Sequence, residues 1–352
     1  MADAGPGSAA RLRQELLLFA QGLDEATRAE VIAALDDPDS PASCTSDARP
    51  SLPSSLPLSD LSRILLRLSQ LVTRQQARLV ALFQELQHAM RHQDVLQALQ
   101  QELAVARRLQ QSILPRQAPA LEGIELDAVM EPASEVGGDF YDYFMIDDEH
   151  LALVVGDVSG KGVPAAFFMA IARTLLRAHA LTLRDPSRVL AALNEQLCAD
   201  NDSAMFVTLV FAVLHVPSGR LHWVNAGHPS PLLKSVSQPT RSLAHKRNPG
   251  LGIQPGLVFQ GEQSQLSCDD FLVFYTDGIV EARNDEGREF GVQRLRAALT
   301  ASQRAGGNFP HDLLARVRRF ERHAPAADDI TCLALKYRRP VRSSGSRLST
   351  HR

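Results

Sequence analysis

The first 35 residues space their apolar side chains as helices do. Leu12, Leu16, Phe19 and Leu23 form one stripe and Val31, Ile32 and Leu35 a second, with Gly22-Leu23-Asp24 between them and Asp24 as an N-cap. Residues 36–57 lose this periodicity and fill with Pro, Ser and Asp, the composition of a linker. A third pattern covers residues 58–114. Ser59 can cap its start, Pro115 stops it, and no Gly or Pro interrupts residues 61–114, which as one helix would span about 80 Å. Its apolar positions, Leu61, Ile64, Leu68, Leu71, Leu79, Leu82, Leu86, Ala89, Leu96, Leu99, Leu103, Ala106 and Ile113, recur every three or four residues, with breaks at Gln75 and Gln93. Such a stripe either packs on its own domain or pairs two chains as a parallel coiled coil. The absence of a large N-terminal domain favours pairing, hence a homodimer.

Residues 115–338 switch to period two and form the main domain. Strands are expected around Ile124–Met130, Phe140–Ile146, Leu151–Asp157, Met205–Val216, Leu221–Ala226, Phe271–Thr276 and Ile330–Tyr337. Helices are expected over Val163–Ala180, after the Asp185-Pro186 cap, over Phe290–Thr300 and over Pro310–His323. Pro217-Ser218-Gly219 joins two strands as a hairpin. Hairpin-linked strands with helix pairs between them predict an α+β fold with antiparallel sheets, not a doubly wound parallel one. Residues 339–352 form a basic, Ser-rich tail that reads as disordered.

Composition narrows the class. The chain has 352 residues, 45% hydrophobic and 22% charged, with a net charge of −3, which gives no sign of a nucleic-acid binder. The four cysteines, Cys44, Cys198, Cys268 and Cys332, form no CxxC pair, so neither a zinc site nor a disulfide scaffold is expected, and a reducing cytoplasm fits. The N-terminus lacks the features of a signal peptide, and no apolar run is read as long enough for a membrane helix.

The candidate chemistry lies in four aspartates from four segments: Asp139 in Gly137-Gly138-Asp139, Asp157 in Gly156-Asp157-Val158-Ser159-Gly160-Lys161-Gly162, Asp277 in Tyr275-Thr276-Asp277-Gly278, and Asp328 in Asp328-Asp329-Ile330-Thr331. The last three adjoin apolar, strand-like runs. A single Asp-Gly pair is ordinarily a turn, but several carboxylates at strand edges can meet in space, where they repel one another unless protons or cations compensate. Hard oxygen ligands suit Mg²⁺ or Mn²⁺. Gly156–Gly162 is not a phosphate-binding GxxxxGK[ST] loop, because Gly162 follows Lys161.

In order along the chain, ARRLQQSILP (106–115), EVGGDFYD, GDVSGKGVPAA, NAGHPSPLL, PGLGI, YTDGIVEARN with its trailing EFG, and DDIT resemble the SpoIIE/RsbU-type branch of the metal-dependent (PPM, type-2C-like) Ser/Thr protein phosphatases over residues 104–338. The resemblance implies a sandwich of two antiparallel sheets flanked by helices, and two Mn²⁺ or Mg²⁺ ions activating a water that attacks phosphorus. It implies that Asp157 bridges the ions with the Val158 carbonyl beside it, that Asp277 and Asp328 bind one ion, and that Asp139 serves the second. Asp157 and Asp139 are thereby the catalytic candidates. Asp329 is expected to be a surface charge or a loop hydrogen-bonder. The histidine that the eukaryotic branch places after its Asp-Gly pair has no match here. Lys161 reads as a solvated or ion-paired lysine before it reads as an acid, and His228 as part of a hairpin turn before it reads as a base. No basic patch for phosphate stands out near these motifs. The implied activity is hydrolysis of phosphoserine or phosphothreonine on a signalling partner, a STAS-type anti-sigma-factor antagonist, with no nucleic acid or membrane involved. A pseudo-phosphatase that only binds a partner, and a two-metal phosphoesterase for small molecules, are the alternatives.

Overall fold

The computed structural model describes residues 58–115, 117–199, 201–236, 238–302 and 308–338. The expectations for residues 1–35, 36–57 and 339–352 lie outside these. The chain divides into two units, Met1–Gln97 and Ala98–Arg352. In the first, the described residues belong to one helix, α1 (Leu58–Ile113), which continues into the second unit. Among the described residues nothing covers the middle of the apolar stripe of α1, where Leu79, Leu82, Leu86 and Leu96 are all exposed.

The described residues of the second unit form ten strands in two five-stranded sheets, all paired antiparallel. One sheet has the order β1-β10-β9-β6-β7, built from β1 (Ile124–Glu131), β10 (Ile330–Tyr337), β9 (Asp270–Tyr275), β6 (Leu232–Lys234) and β7 (Arg241–Ser242). The other has the order β2-β3-β4-β5-β8, built from β2 (Phe140–Met145), β3 (His150–Val158), β4 (Val207–His215), β5 (Arg220–Ala226) and β8 (Glu262–Gln265). The period-two pattern of these strands explains the stacking. Leu151, Leu153 and Val155 of β3 and Val210, Ala212 and Leu214 of β4 share a buried cluster with Leu272, Phe274, Leu333 and Leu335 of the facing sheet. The intervening side chains point outward under helices. Ala152, Val154, Leu209 and Phe211 pack beneath α2 (Val163–Leu183) and α3 (Pro186–Ala199). Phe271, Val273, Cys332 and Ala334 pack with α4 (Asp277–Glu281), α5 (Gly291–Ala301) and α6 (Phe309–Glu321). The result is an α/β/β/α sandwich, with the antiparallel sheets that the sequence pattern predicts and the layering that the family resemblance implies.

By length and composition α2 could cross a membrane, with a mean hydropathy of 1.3 over its most apolar window, contrary to the expectation that no segment would. In this fold it covers a sheet. Ala165, Met169, Ala172, Leu176 and Ala180 are buried, and Arg173 and Arg177 reach the fully buried Asp142 of β2 at 2.9 and 3.3 Å. A buried carboxylate needs such partners, so these pairs fix α2 over the strand that follows Asp139.

Candidate metal centre

The four aspartates gather at one end of the sandwich. Asp139 stands immediately before β2 and Asp157 near the end of β3, both in one sheet. Asp277 follows β9 as the first residue of α4, and Asp328 precedes β10, both in the other sheet. The sheet ends therefore bring the carboxylates together without help from a long loop.

Electrostatics confirms that they are neighbours. Burial pushes the Asp157 carboxyl up to about 7, and repulsion from Asp277, Asp328 and Asp329 adds to this. Asp139 is 1% exposed, and burial, followed by repulsion from Asp157 and Asp329, holds its carboxyl well above the usual range. Burial and then Asp328 raise Asp277 as well. Burial is the larger cause of each shift, and a cation placed among the groups would offset the repulsive part.

The backbone around the cluster is shaped by close approaches. A Cβ at Gly138 would lie 2.7 Å from the Val158 carbonyl oxygen, and one at Gly278 would collide with the Asp329 carbonyl. Gly160 and Gly162 have φ of 91° and 77°, in the left-handed region that favours glycine, and both have open space beside them. Ser159 ties this loop to the start of β4: its N–H donates to the Phe206 carbonyl and its Oγ accepts from the Phe206 N–H at 2.9 Å.

Asp329 has a role the sequence understates. It is 8% exposed, so it is not a surface charge. Its Oδ1 accepts the Ala133 N–H at 2.8 Å, and its Oδ2 accepts the Gly138 N–H at 2.8 Å and the Asp139 N–H at 3.4 Å. A Cβ on Gly137 would meet this carboxylate at 2.1 Å. Asp329 therefore anchors the Gly137-Gly138-Asp139 turn from the opposite sheet. Thr276 works beside it: its hydroxyl donates to Asp139 Oδ2 at 2.8 Å and accepts the Thr331 N–H at 3.0 Å. Gln110, near the end of α1, closes the other side. Its Nε2 donates to the Gly137 carbonyl at 2.6 Å, its Oε1 accepts the Gly137 N–H at 3.2 Å, and it is 6% exposed. The sequence signals were present for all three. Thr276 and Asp329 flank the expected ligands, and Gln110 is a polar residue one turn before Pro115.

Lys161 makes the ion pair anticipated for it, 3.4 Å from Asp328 Oδ1, and donates to the Ala327 carbonyl at 2.7 Å. His228 is buried in the β5–β6 connection. Its N–H donates to Asn225 Oδ1, its carbonyl accepts from Asn225 Nδ2, and its Nδ1 lies 2.9 Å from Thr208 Oγ1. Burial pushes its imidazole down to about 3, so at neutral pH the ring is uncharged and is not poised as an imidazolium acid.

Among the described residues, no three His, Cys, Asp or Glu side chains close around one point as a finished metal cage. The donor set nonetheless fits Mg²⁺ or Mn²⁺. It is all oxygen and strongly anionic, and Mg²⁺ commonly keeps several waters while taking only one or two carboxylates.

A family model described as Stage II sporulation protein E (SpoIIE) matches residues 147–338. The chain is 34% identical over 228 residues to Protein IcfG of Synechocystis sp., covering 57% of this chain and 36% of that protein. It is 27% identical over 246 residues to the phosphoserine phosphatase RsbU of Bacillus subtilis, covering 69% of this chain and 72% of RsbU. The chain thus spans about a third of the first relative and nearly three quarters of the second. In structure it is similar to the SiaA PP2C domain of Pseudomonas aeruginosa, with a TM-score of 0.62, 22% identity, and coverage of 69% of this chain and 98% of that one.

Proposed function

The chain belongs to the SpoIIE family, and from that premise we propose that it is a cytoplasmic, metal-dependent protein phosphatase that hydrolyses phosphoserine or phosphothreonine on a signalling partner. The observation that carries this reading is the meeting of Asp139, Asp157, Asp277 and Asp328 at the ends of two sheets, with Asp157 pushed up to about 7. A module that only binds a partner has no need to keep so costly a cluster of buried carboxylates.

In this reading Asp157 with the Val158 carbonyl would serve both ions, Asp277 and Asp328 would hold one, and Asp139 would serve the other. Mn²⁺ or Mg²⁺ bound there would supply an activated water and offset charge on the phosphoryl oxygens. The protein's own residues do the positioning. Asp329 and Gln110 fix the backbone that carries Asp139, Thr276 orients its carboxyl, and Lys161 restrains Asp328. The substrate in this reading is a phosphorylated STAS-type anti-sigma-factor antagonist, the partner that the sequence resemblance implies. The uncovered stripe of α1 supports pairing with a second copy of this chain through residues 58–114, because an apolar face of that length is unfavourable in water.

The test is Mn²⁺-dependent release of phosphate from a phosphorylated STAS-domain protein, compared with release from ATP. Release from the phosphoprotein that disappears in Asp157→Asn supports the reading. Preferential hydrolysis of ATP would instead assign a small-molecule phosphoesterase, and no hydrolysis of either would leave a binding module.

A further inference from the structure

The sequence marks no basic patch beside the aspartate motifs, yet the fold assembles one. A cleft of about 480 Å³ is lined by Asn284, Glu286, Arg288, Arg294, Arg316, Arg319, Phe320 and Arg322. Five arginines thus face one glutamate, in a chain whose net charge is −3. Arg316, Arg319 and Arg322 recur every third residue, so α6 and the residue that ends it present them on one side. Arg288 and Arg294 come from the segment between α4 and α5 and from α5 itself.

The arginines differ in what holds them. Arg294 is fixed: its Nη1 donates to the Glu289 and Phe290 carbonyls at 2.9 and 2.8 Å, and its guanidinium lies 4.8 Å from the Phe320 ring centre. Arg288 pairs with Glu286 at 3.0 Å. Among the described residues the guanidinium groups of Arg316, Arg319 and Arg322 have no hydrogen-bond or ion-pair partner, and all three residues are exposed. Like charges gathered this way repel one another, and an anionic occupant removes that cost.

A series of neighbouring groups connects the cleft to the carboxylate centre. Glu281, at the end of the helix that Asp277 begins, is within electrostatic reach of Asp277, Asp328 and Glu289. Glu289 in turn pairs with Arg283 at 2.9 Å and carries the carbonyl that fixes Arg294.

We propose that this arginine cleft is a docking site for an acidic, carboxylate-rich segment of the protein substrate, engaged beside the centre where its phosphorylated residue is hydrolysed. The proposal rests on the phosphatase reading for the identity of the partner. The cleft's chemistry argues for an acidic peptide over a nucleotide. Phe320 is its one aromatic side chain, and that ring is already engaged, with Arg294 over one face and Phe290 packed against it in a T-shaped contact at 5.4 Å. Guanidinium groups are well suited to planar carboxylates.

The experiment measures binding of fluorescein-labelled hexaglutamate to the full chain by anisotropy, in parallel with Mn²⁺-dependent hydrolysis of p-nitrophenyl phosphate, which is too small to reach both places. In Arg316→Glu/Arg319→Glu the affinity for hexaglutamate should fall at least tenfold, and Arg316→Lys/Arg319→Lys should retain most of it. Wild-type affinity should weaken as salt is raised. Hydrolysis of p-nitrophenyl phosphate should stay unchanged in both variants, since neither residue belongs to the carboxylate centre. Equal binding by wild type and the charge-reversed variant, or no binding by either, would overturn the proposal. Displacement of the peptide by ATP at much lower concentration than by unlabelled hexaglutamate would overturn the choice of an acidic protein segment. Absence of p-nitrophenyl phosphate hydrolysis in the wild type, with peptide binding intact and lost on charge reversal, would count against the phosphatase reading and leave the acidic docking site standing.

Discussion

Asp329→Asn separates a carboxylate that anchors a turn from one that holds an ion. In the wild type, Asp329 takes the Ala133 N–H on one oxygen and the Gly138 and Asp139 N–H groups on the other. An asparagine keeps one acceptor oxygen and turns an NH₂ toward the remaining donors. If the oxygen stays with Gly138, the Ala133 bond is lost, and the reverse orientation loses Gly138. A hydrogen bond to a charged group contributes roughly 1.5–3 kcal/mol, and the surviving bond falls to the neutral value of about 1 kcal/mol. Against this, removing the charge relieves repulsion on Asp139 and Asp157, a gain of order 1 kcal/mol at the effective dielectric of partly buried sites. The balance is a loss of about 2 kcal/mol, which in a domain of this size lowers Tm by roughly 4–8 °C.

The assay is thermal unfolding in EDTA together with turnover as a function of Mn²⁺. Asp329→Asn should be less stable, should need more Mn²⁺ for half-maximal turnover, and should keep measurable activity at saturation. Asp157→Asn should invert the pattern: no turnover at any Mn²⁺ concentration, with a metal-free Tm equal to or above wild type, because a repelling charge has gone. Unchanged Tm in Asp329→Asn would refute the anchoring argument. Complete loss of turnover without loss of stability would make Asp329 a ligand instead.

The remaining predictions concern pH, the helix end and assembly. Metal-free protein should lose stability as pH rises from about 4 to 7, at up to about 1.4 kcal/mol per unit, because the unfolded Asp157 deprotonates near the ordinary 3.8 while the folded one holds its proton to about 7; Mn²⁺ should cancel the decline, and a flat metal-free profile in urea titrations would contradict the clustering. Gln110→Ala leaves both the Gly137 N–H and C=O without their buried partner and should cost about 2–4 kcal/mol of unfolding free energy in urea titrations, whereas a change below about 0.5 kcal/mol would show the contact to be replaceable by water. Light scattering at micromolar concentration should give a dimer for the full chain and a monomer when Leu79, Leu82 and Leu86 are all changed to Glu, and a monomeric wild type would return the stripe to a partner of another kind.

Much of this fold was legible in period-two patterning. Buried central strands such as Leu151–Asp157 and Ile330–Tyr337 have few alternatives once hairpin turns are placed. The pieces that escaped are those whose order is imposed by neighbours. The edge strand β8 is Glu-Gln-Ser-Gln, with no apolar residue, and exists because β5 offers it hydrogen bonds. The short β6 and β7 have only three and two residues in which to show a period. The helix α4 begins with Asp277-Gly278, which in isolation reads as a turn.

The carboxylate centre divides along the same line. Residue type and strand-edge placement were enough to gather Asp139, Asp157, Asp277 and Asp328, because any metal-dependent oxygen site needs such groups where backbones converge. Type alone could not say which carboxylate faces water and which faces amides. Asp328 and Asp329 are adjacent and chemically identical, yet one pairs with Lys161 near solvent while the other is buried under Gly137 and Gly278. What separates them is the rotation of the chain as it enters β10, where successive side chains point to opposite sides. The glycines opposite Asp329 are the trace of that choice, since a Cβ at Gly137 or Gly278 would occupy the space its carboxylate and carbonyl need. The arginine cleft follows the same logic in reverse. Its third-residue spacing was written in α6, but the charge became a site only when the segment carrying Arg288 and Arg294 was brought alongside.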